Sequence, residues 1–260
     1  MNKITLIVIL LFLYSYKLIA GTIDPNTPDQ KYIDYGSKFP YIAQISGISD
    51  DNEPYFASGV AYSDNIIITA AHVLSATKDQ IIKVNINNKN LTTDTVIIHQ
   101  KYNSNNFGYY DIGIIKLKDS IGLDWYPELY QQEDEHGKIC SLSGFGITGT
   151  FNTGAIKSDR FKRAGSNTID GIDRGMLVCT PSINIKKTEL EFIIAPGDSG
   201  GGLFIGNKLA GIHSCIMANG HKAKSDYKTE SGHTRISNHV EWINSTVQFL
   251  QHRELRNEKK

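Results

Sequence analysis

The sequence predicts an all-β fold of two packed antiparallel β-barrels, closed by a single C-terminal α-helix. Three observations carry this. From Phe39 onward the chain breaks into short β-branched apolar or alternating runs, each bounded by Asn, Asp, Gly or Ser. The runs fall into two sets on either side of a polar, acidic stretch, Gln131-Gln132-Glu133-Asp134-Glu135. The helix is signalled only at the end, where Val240, Ile243, Val247 and Leu250 recur at helical spacing behind Ser237 as N-cap.

Taken in order, the 260 residues open with Lys3, an apolar run from Ile4 to Leu13, and a small residue, Ala20, before Gly21. The run is too short to span a bilayer comfortably, so residues 1–20 read as a signal peptide rather than a retained anchor. Cleavage near Gly21 would leave a secreted or periplasmic chain with no membrane attachment. Residues 21–38 are rich in turn formers and read as an extended N-terminal segment. Residues 39–130 hold the first set of strands: Tyr41–Ile45, Phe56–Tyr62, Ile66–Ala70, Ile81–Ile86, Thr95–His99 and Ile112–Leu117. Residues 131–236 hold the second: Ile139–Leu142, Gly175–Cys179, Leu203–Ile205, Leu209–His213 and a run near His233–Ile236. The helix is placed at 237–250 and a charged, frayed tail at 251–260.

Composition excludes several functions. At 40% hydrophobic and 21% charged, the chain is a folded protein rather than a disordered one. With 27 basic and 27 acidic residues, it lacks the charge of an electrostatic nucleic-acid binder. Three cysteines, Cys140, Cys179 and Cys215, allow one intramolecular bridge in any of three pairings. The sequons Asn90-Leu91-Thr92 and Asn244-Ser245-Thr246 read as chance in an Asn-rich chain.

Three segments carry chemistry. Gly197-Asp198-Ser199-Gly200-Gly201 sets a serine in a glycine-rich turn. There the backbone can approach a substrate and offer N–H groups to a developing oxyanion. Ile66-Ile67-Ile68-Thr69-Ala70-Ala71-His72-Val73 ends a strand in a small-residue turn bearing a histidine, the base that a serine hydroxyl needs. Tyr110-Asp111-Ile112-Gly113-Ile114-Ile115-Lys116-Leu117 puts one aspartate at the head of an apolar strand. A carboxylate there could fix the tautomer of the imidazole.

Together these segments resemble the trypsin and chymotrypsin family of serine peptidases, whose order along the chain is also His, Asp, Ser. The resemblance spans nearly the whole mature chain. Phe56-Ala57-Ser58-Gly59-Val60 resembles the strand before the histidine turn, and Ile98-His99-Gln100-Lys101-Tyr102-Asn103-Ser104-Asn105 the approach to the aspartate. Ser143-Gly144-Phe145-Gly146 resembles the Gly-Trp-Gly turn of the family, and Thr234–Ile243 its final strand and helix. The resemblance implies two six-stranded barrels and a secreted endopeptidase acting on protein or peptide substrates. Ser199 would be the nucleophile, His72 the base and Asp111 its orienter. The N–H groups of Gly197 and Ser199 would form the oxyanion hole, and Ser214 would support Asp111. No cofactor or metal is expected.

Departures from the family set further expectations. The Ile-Val-Gly-Gly start is missing, with Tyr32-Ile33-Asp34-Tyr35-Gly36 in that region, so Asp198 needs another partner. We expect a side chain or a freed Gly21 amine. Ser58 and Ala71 replace the two cysteines customary beside the histidine. Ile193 stands six places before the serine, where trypsin-like members carry an acidic residue. Ile193, Ile194 and Ile216 favour small or medium apolar side chains before the cleaved bond. His213 resembles the histidine of glutamate-specific relatives and keeps Glu open. The alternatives to a peptidase are a non-catalytic binding protein on this scaffold and an esterase.

Overall fold

The computed structural model describes residues 21–105, 108–218 and 220–257; the signal peptide expectation lies outside them. The described chain opens with strand β1 (Gly21–Ile23) and a helix, α1 (Asp29–Gly36). This corrects the expectation that 21–38 is extended throughout. Pro28 sits at the N-cap and no Gly or Pro interrupts Asp29–Tyr35, so a helix can form locally. Distant partners then hold it. The Arg163 guanidinium donates to both carboxylate oxygens of Asp29 at 2.7 and 2.9 Å, and the buried Tyr32 hydroxyl donates to the Glu191 carbonyl.

The first β unit is a closed barrel. Its strands are β2 (Ile42–Ser49), β3 (Pro54–Ser63), β4 (Ile66–Thr69), β5 (Thr77–Ile86), β6 (Lys89–Ile98) and β7 (Gly113–Leu117), in spatial order β2-β3-β4-β7-β6-β5. Each predicted run in this region lies in or overlaps one of them. Ile66, Ile67 and Ile68 are all inaccessible to solvent, which fits a strand buried on both faces between β3 and β7. A short helix, α2 (Ala71–Ser75), follows β4.

The second unit holds β8 (Glu128–Leu129), β9 (Ile139–Gly144), β10 (Thr148–Thr150), β11 (Gly154–Lys157), β12 (Arg163–Thr168), β13 (Gly171–Asp173), β14 (Met176–Cys179), β15 (Phe192–Ile193), β16 (Gly202–Ile205), β17 (Lys208–Ala218) and β18 (Thr229–Arg235). Where six strands are expected, an eight-stranded sheet runs β12-β9-β16-β17-β18-β14-β13 with β8 added on β17. A separate four-stranded sheet, β11-β10-β1-β15, incorporates the N-terminal segment, with β1 parallel to β10 and antiparallel to β15.

β12 has no apolar alternation to betray it. Its two buried polar residues are satisfied: Asn167 donates to the carbonyls of Thr180 and Phe192, and Arg163 pairs with Asp29 and Asp159.

The closing helix, α3 (Val240–Asn257), runs past the predicted 250 into the supposed tail, since no Gly or Pro stops it. Residues 236–238 form a 3₁₀ turn ahead of it. The acidic connector is more than a spacer. Glu135 is fully buried, accepting two bonds from Arg235 at 2.9 and 2.7 Å and one from Ser237 at 3.0 Å. It thereby pins the turn that leads into α3.

Candidate active site

The buried β4 strand is followed by Ala70 and Ala71, small enough to let the chain turn directly into α2, where His72 is only partly buried. Tyr55 and Thr77 both donate to the Val73 carbonyl, at 3.2 and 2.8 Å, and fix this helix against the barrel. Asp111 heads β7 and is completely buried. Its carboxylate accepts the His72 backbone N–H at 2.8 Å, meets His72 Nδ1 at 2.7 Å, and accepts the Ser214 hydroxyl at 2.5 Å. With Nδ1 donating to the carboxylate, Nε2 of the partly exposed His72 is left as the acceptor, and it meets no protein donor among the described residues. Ser214 reaches Asp111 through an irregularity in β17. His213 pairs with His233 and Cys215 with Gly232, which leaves Ser214 as the extra residue of a β-bulge aimed at the carboxylate.

The Ser199 turn is tied to β17 on its C-terminal side. Gly200 N–H donates to the His213 carbonyl and His213 N–H to the Gly201 carbonyl, both at 2.8 Å. Gly197 and Gly200 have φ of +94° and +83°, a region side chains rarely adopt. A Cβ on Gly200 would lie 2.0 Å from Thr69 Oγ1 and 3.1 Å from the Ala70 nitrogen, so the turn packs directly on the strand end that carries His72. Among the described residues, the N–H groups of Gly197 and Ser199 donate to no protein acceptor, and both residues are partly exposed.

Ser58, in the place of a customary cysteine, does a polar version of a cross-link. Its hydroxyl donates to the Gly197 carbonyl at 3.0 Å and accepts from Phe145 N–H at 2.9 Å, while its N–H donates to the Ser199 carbonyl at 2.8 Å. Sequence reading notes the substitution but misses this bridge, because its partners lie 87 and 139 positions away.

Asp198 is fully buried and accepts the N–H groups of Gly146 and Ala195 at 2.8 and 2.9 Å. Burial pushes its pKa up to about 7, against the lowering effect of those bonds and of Arg163. No side-chain cation contacts it among the described residues.

The sequence matches the family described as Trypsin over residues 32–243. The chain belongs to the trypsin family. Chymotrypsin-like elastase family member 1 of Macaca fascicularis is 22% identical over 236 residues, 81% of this chain and 86% of that one. Kallikrein-1E2 of Equus caballus is 25% identical over 223 residues, 73% and 79% of the two chains. Among solved structures, HL collagenase superposes with a TM-score of 0.66 at 18% identity, covering 89% of this chain and 99% of that one. Neuropsin, a serine protease expressed in the limbic system of mouse brain, gives 0.63 at 21%, covering 80% and 95%.

The trypsin-family chain has a cavity of about 470 Å³ beside Ser214, lined by that residue with Cys215, Ile216, Met217, Met176, Arg174 and Ala223. Of the residues assigned to substrate binding from the sequence, Ser214 and Ile216 reach it. Ile193, Ile194 and His213 are sealed in the interior instead. His213 Nδ1 is 2.9 Å from His233 Nδ1, and burial together with His233 holds the imidazole of His213 neutral, far below its ordinary pKa. Nothing local in the sequence marks His233; only its position opposite His213 on the neighbouring strand discloses it.

Proposed function

We propose that this chain is a secreted serine endopeptidase with His72, Asp111 and Ser199 as its catalytic triad. The observation that carries the reading is the triply bonded Asp111 carboxylate, which orients His72 beside a serine turn with two unengaged N–H groups. In this reading Ser199 Oγ attacks the scissile carbonyl as His72 Nε2 takes its proton. Asp111 stabilises the imidazolium, and the N–H groups of Gly197 and Ser199 receive the oxyanion. His72 then protonates the leaving amine, and water repeats the sequence on the acyl-enzyme.

The partner we assign to Asp198 is the amine freed by cleavage before Gly21. Thr22 pairs with Ile193 and Gly21 with Thr148. The N-terminus of β1 therefore points toward the Gly146 and Ala195 segments that already bind this carboxylate.

For specificity, the apolar lining at Met176, Ile216 and Met217 supports cleavage after small or medium apolar residues. A preference for Glu, which His213 would confer, is disfavoured, because that imidazole is sealed in the interior and does not line this cavity. Digestion of a peptide library by the chain from Gly21, beside its Ser199→Ala variant, tests the proposal. Cleavage after apolar residues that disappears in the variant supports it. Cleavage after Glu that His213→Ala abolishes would contradict the apolar preference, and no cleavage by a folded chain with a free Gly21 amine overturns the peptidase reading.

A further inference from the structure

The three cysteines are not equivalent in the fold. Cys140 lies on β9 and Cys179 on β14, 39 positions apart in the chain and with β16, β17 and β18 between them in the sheet. Both side chains point into the interior of the second unit, where their sulfurs are 3.8 Å apart. Both are buried within the apolar cluster that includes Ile23, Tyr32, Leu142, Leu177 and Phe192. Cys215 is elsewhere: it lines the cavity beside Ser214, its sulfur 3.9 Å from that of Met176.

We propose that Cys140 and Cys179 form a disulfide across the interior of the second β unit, and that Cys215 remains a free thiol. A disulfide needs sulfurs about 2.05 Å apart, so the two side chains need to close only about 1.8 Å between them. No rearrangement of strand order is required. The bond would tie two strands that share no backbone ladder, and so add a constraint that the sheet itself does not supply.

The timing follows from burial. In the folded chain contact with Cys140 and loss of solvent both raise the Cys179 thiol well above its ordinary pKa, which suppresses the thiolate needed for exchange. The bond therefore forms during folding, before the interior closes. One cysteine thiolate attacks a sulfur of an external disulfide, such as oxidised glutathione, and expels one thiolate. The second cysteine thiolate then attacks the mixed disulfide and expels the other. The protein loses two protons and two electrons, and the donor becomes two thiols.

The inference is independent of peptidase activity, so the full-length Ser199→Ala chain serves for the test. It is unfolded, refolded in oxidised and reduced glutathione, alkylated, and digested without reduction. The expected result is a Cys140–Cys179 linked peptide pair, about 2 Da lighter than the two thiol peptides together, with Cys215 alkylated. The double variant Cys140→Ala, Cys179→Ala should melt about 5–10 °C lower, while Cys215→Ala should leave Tm unchanged. Alkylation of all three thiols in folded product from the oxidising buffer, or a link through Cys215, overturns the proposal.

Discussion

At the scale of single residues, the site depends on side chains whose partners are far away in sequence. Ser214 is one. Replacing it by Ala removes a short bond to a buried carboxylate, a contact type that contributes about 1.5–3 kcal/mol. We expect kcat/KM to fall about 10- to 100-fold and Tm to drop by about 3–10 °C, measured by peptide hydrolysis beside thermal unfolding. Gly200 is a second. An Ala there would place its Cβ 2.3 Å from the Ser58 carbonyl oxygen at a φ of +83°. The strain should lower Tm by about 5 °C or more and abolish turnover, because the displaced turn carries Ser199. The turn that carries His72, the strand head at Asp111 and the glycine turn around Ser199 are legible in the sequence because each is a local pattern. Ser58 as a bridge, His233 as the partner of His213, and buried Glu135 are not, because nothing local distinguishes them from ordinary polar residues.

At the scale of elements, β1 is the segment whose placement decides most. Sequence reading makes it part of an extended N-terminal segment with no partner assigned, yet it joins β10 to β15 and runs beside the segments that bind Asp198. If the Gly21 amine is the partner of that carboxylate, its position at the end of β1 should be critical. A chain with one alanine added before Gly21 should lose at least tenfold in kcat/KM relative to a chain with a free Gly21 amine. N-terminal sequencing must accompany the kinetics; equal activity of the two forms would remove Gly21 from this role. The apolar strands of the first barrel are legible because their burial is written as Ile and Val runs. β12 and α1 are not, since the Arg163–Asp29 pair that joins them spans 134 positions.

At the scale of the whole molecule, acid sensitivity should be pronounced. Burial lowers the pKa of His99 to about 4 and of His233 to about 3, and lowers His213 and His239 as well. In the unfolded chain these groups titrate near 6.5, so between about pH 6.5 and 4 the unfolded state binds more protons. Their contribution to stability is complete above that range and is lost as pH falls through it. Asp198 has the opposite sign, since a carboxyl raised to about 7 disfavours the folded state as pH climbs from about 4 to 7. One group against four leaves the acid side weaker. Thermal unfolding of Ser199→Ala should show Tm falling from pH 7 to pH 4.5, and a Tm that rises toward acid would contradict this balance. The all-β class and the closing helix are legible in the sequence from strand-length apolar runs and one helical stripe. The division of the second unit into two sheets is not, because it rests on polar strands and on the N-terminal segment returning to pair with them. The central claim, an activated serine at Ser199, is tested most directly by a fluorophosphonate serine-hydrolase probe on the chain beginning at Gly21. The account predicts covalent labelling that is absent in Ser199→Ala and strongly reduced in His72→Ala; a folded chain that takes no label, or labels equally without Ser199, would contradict it.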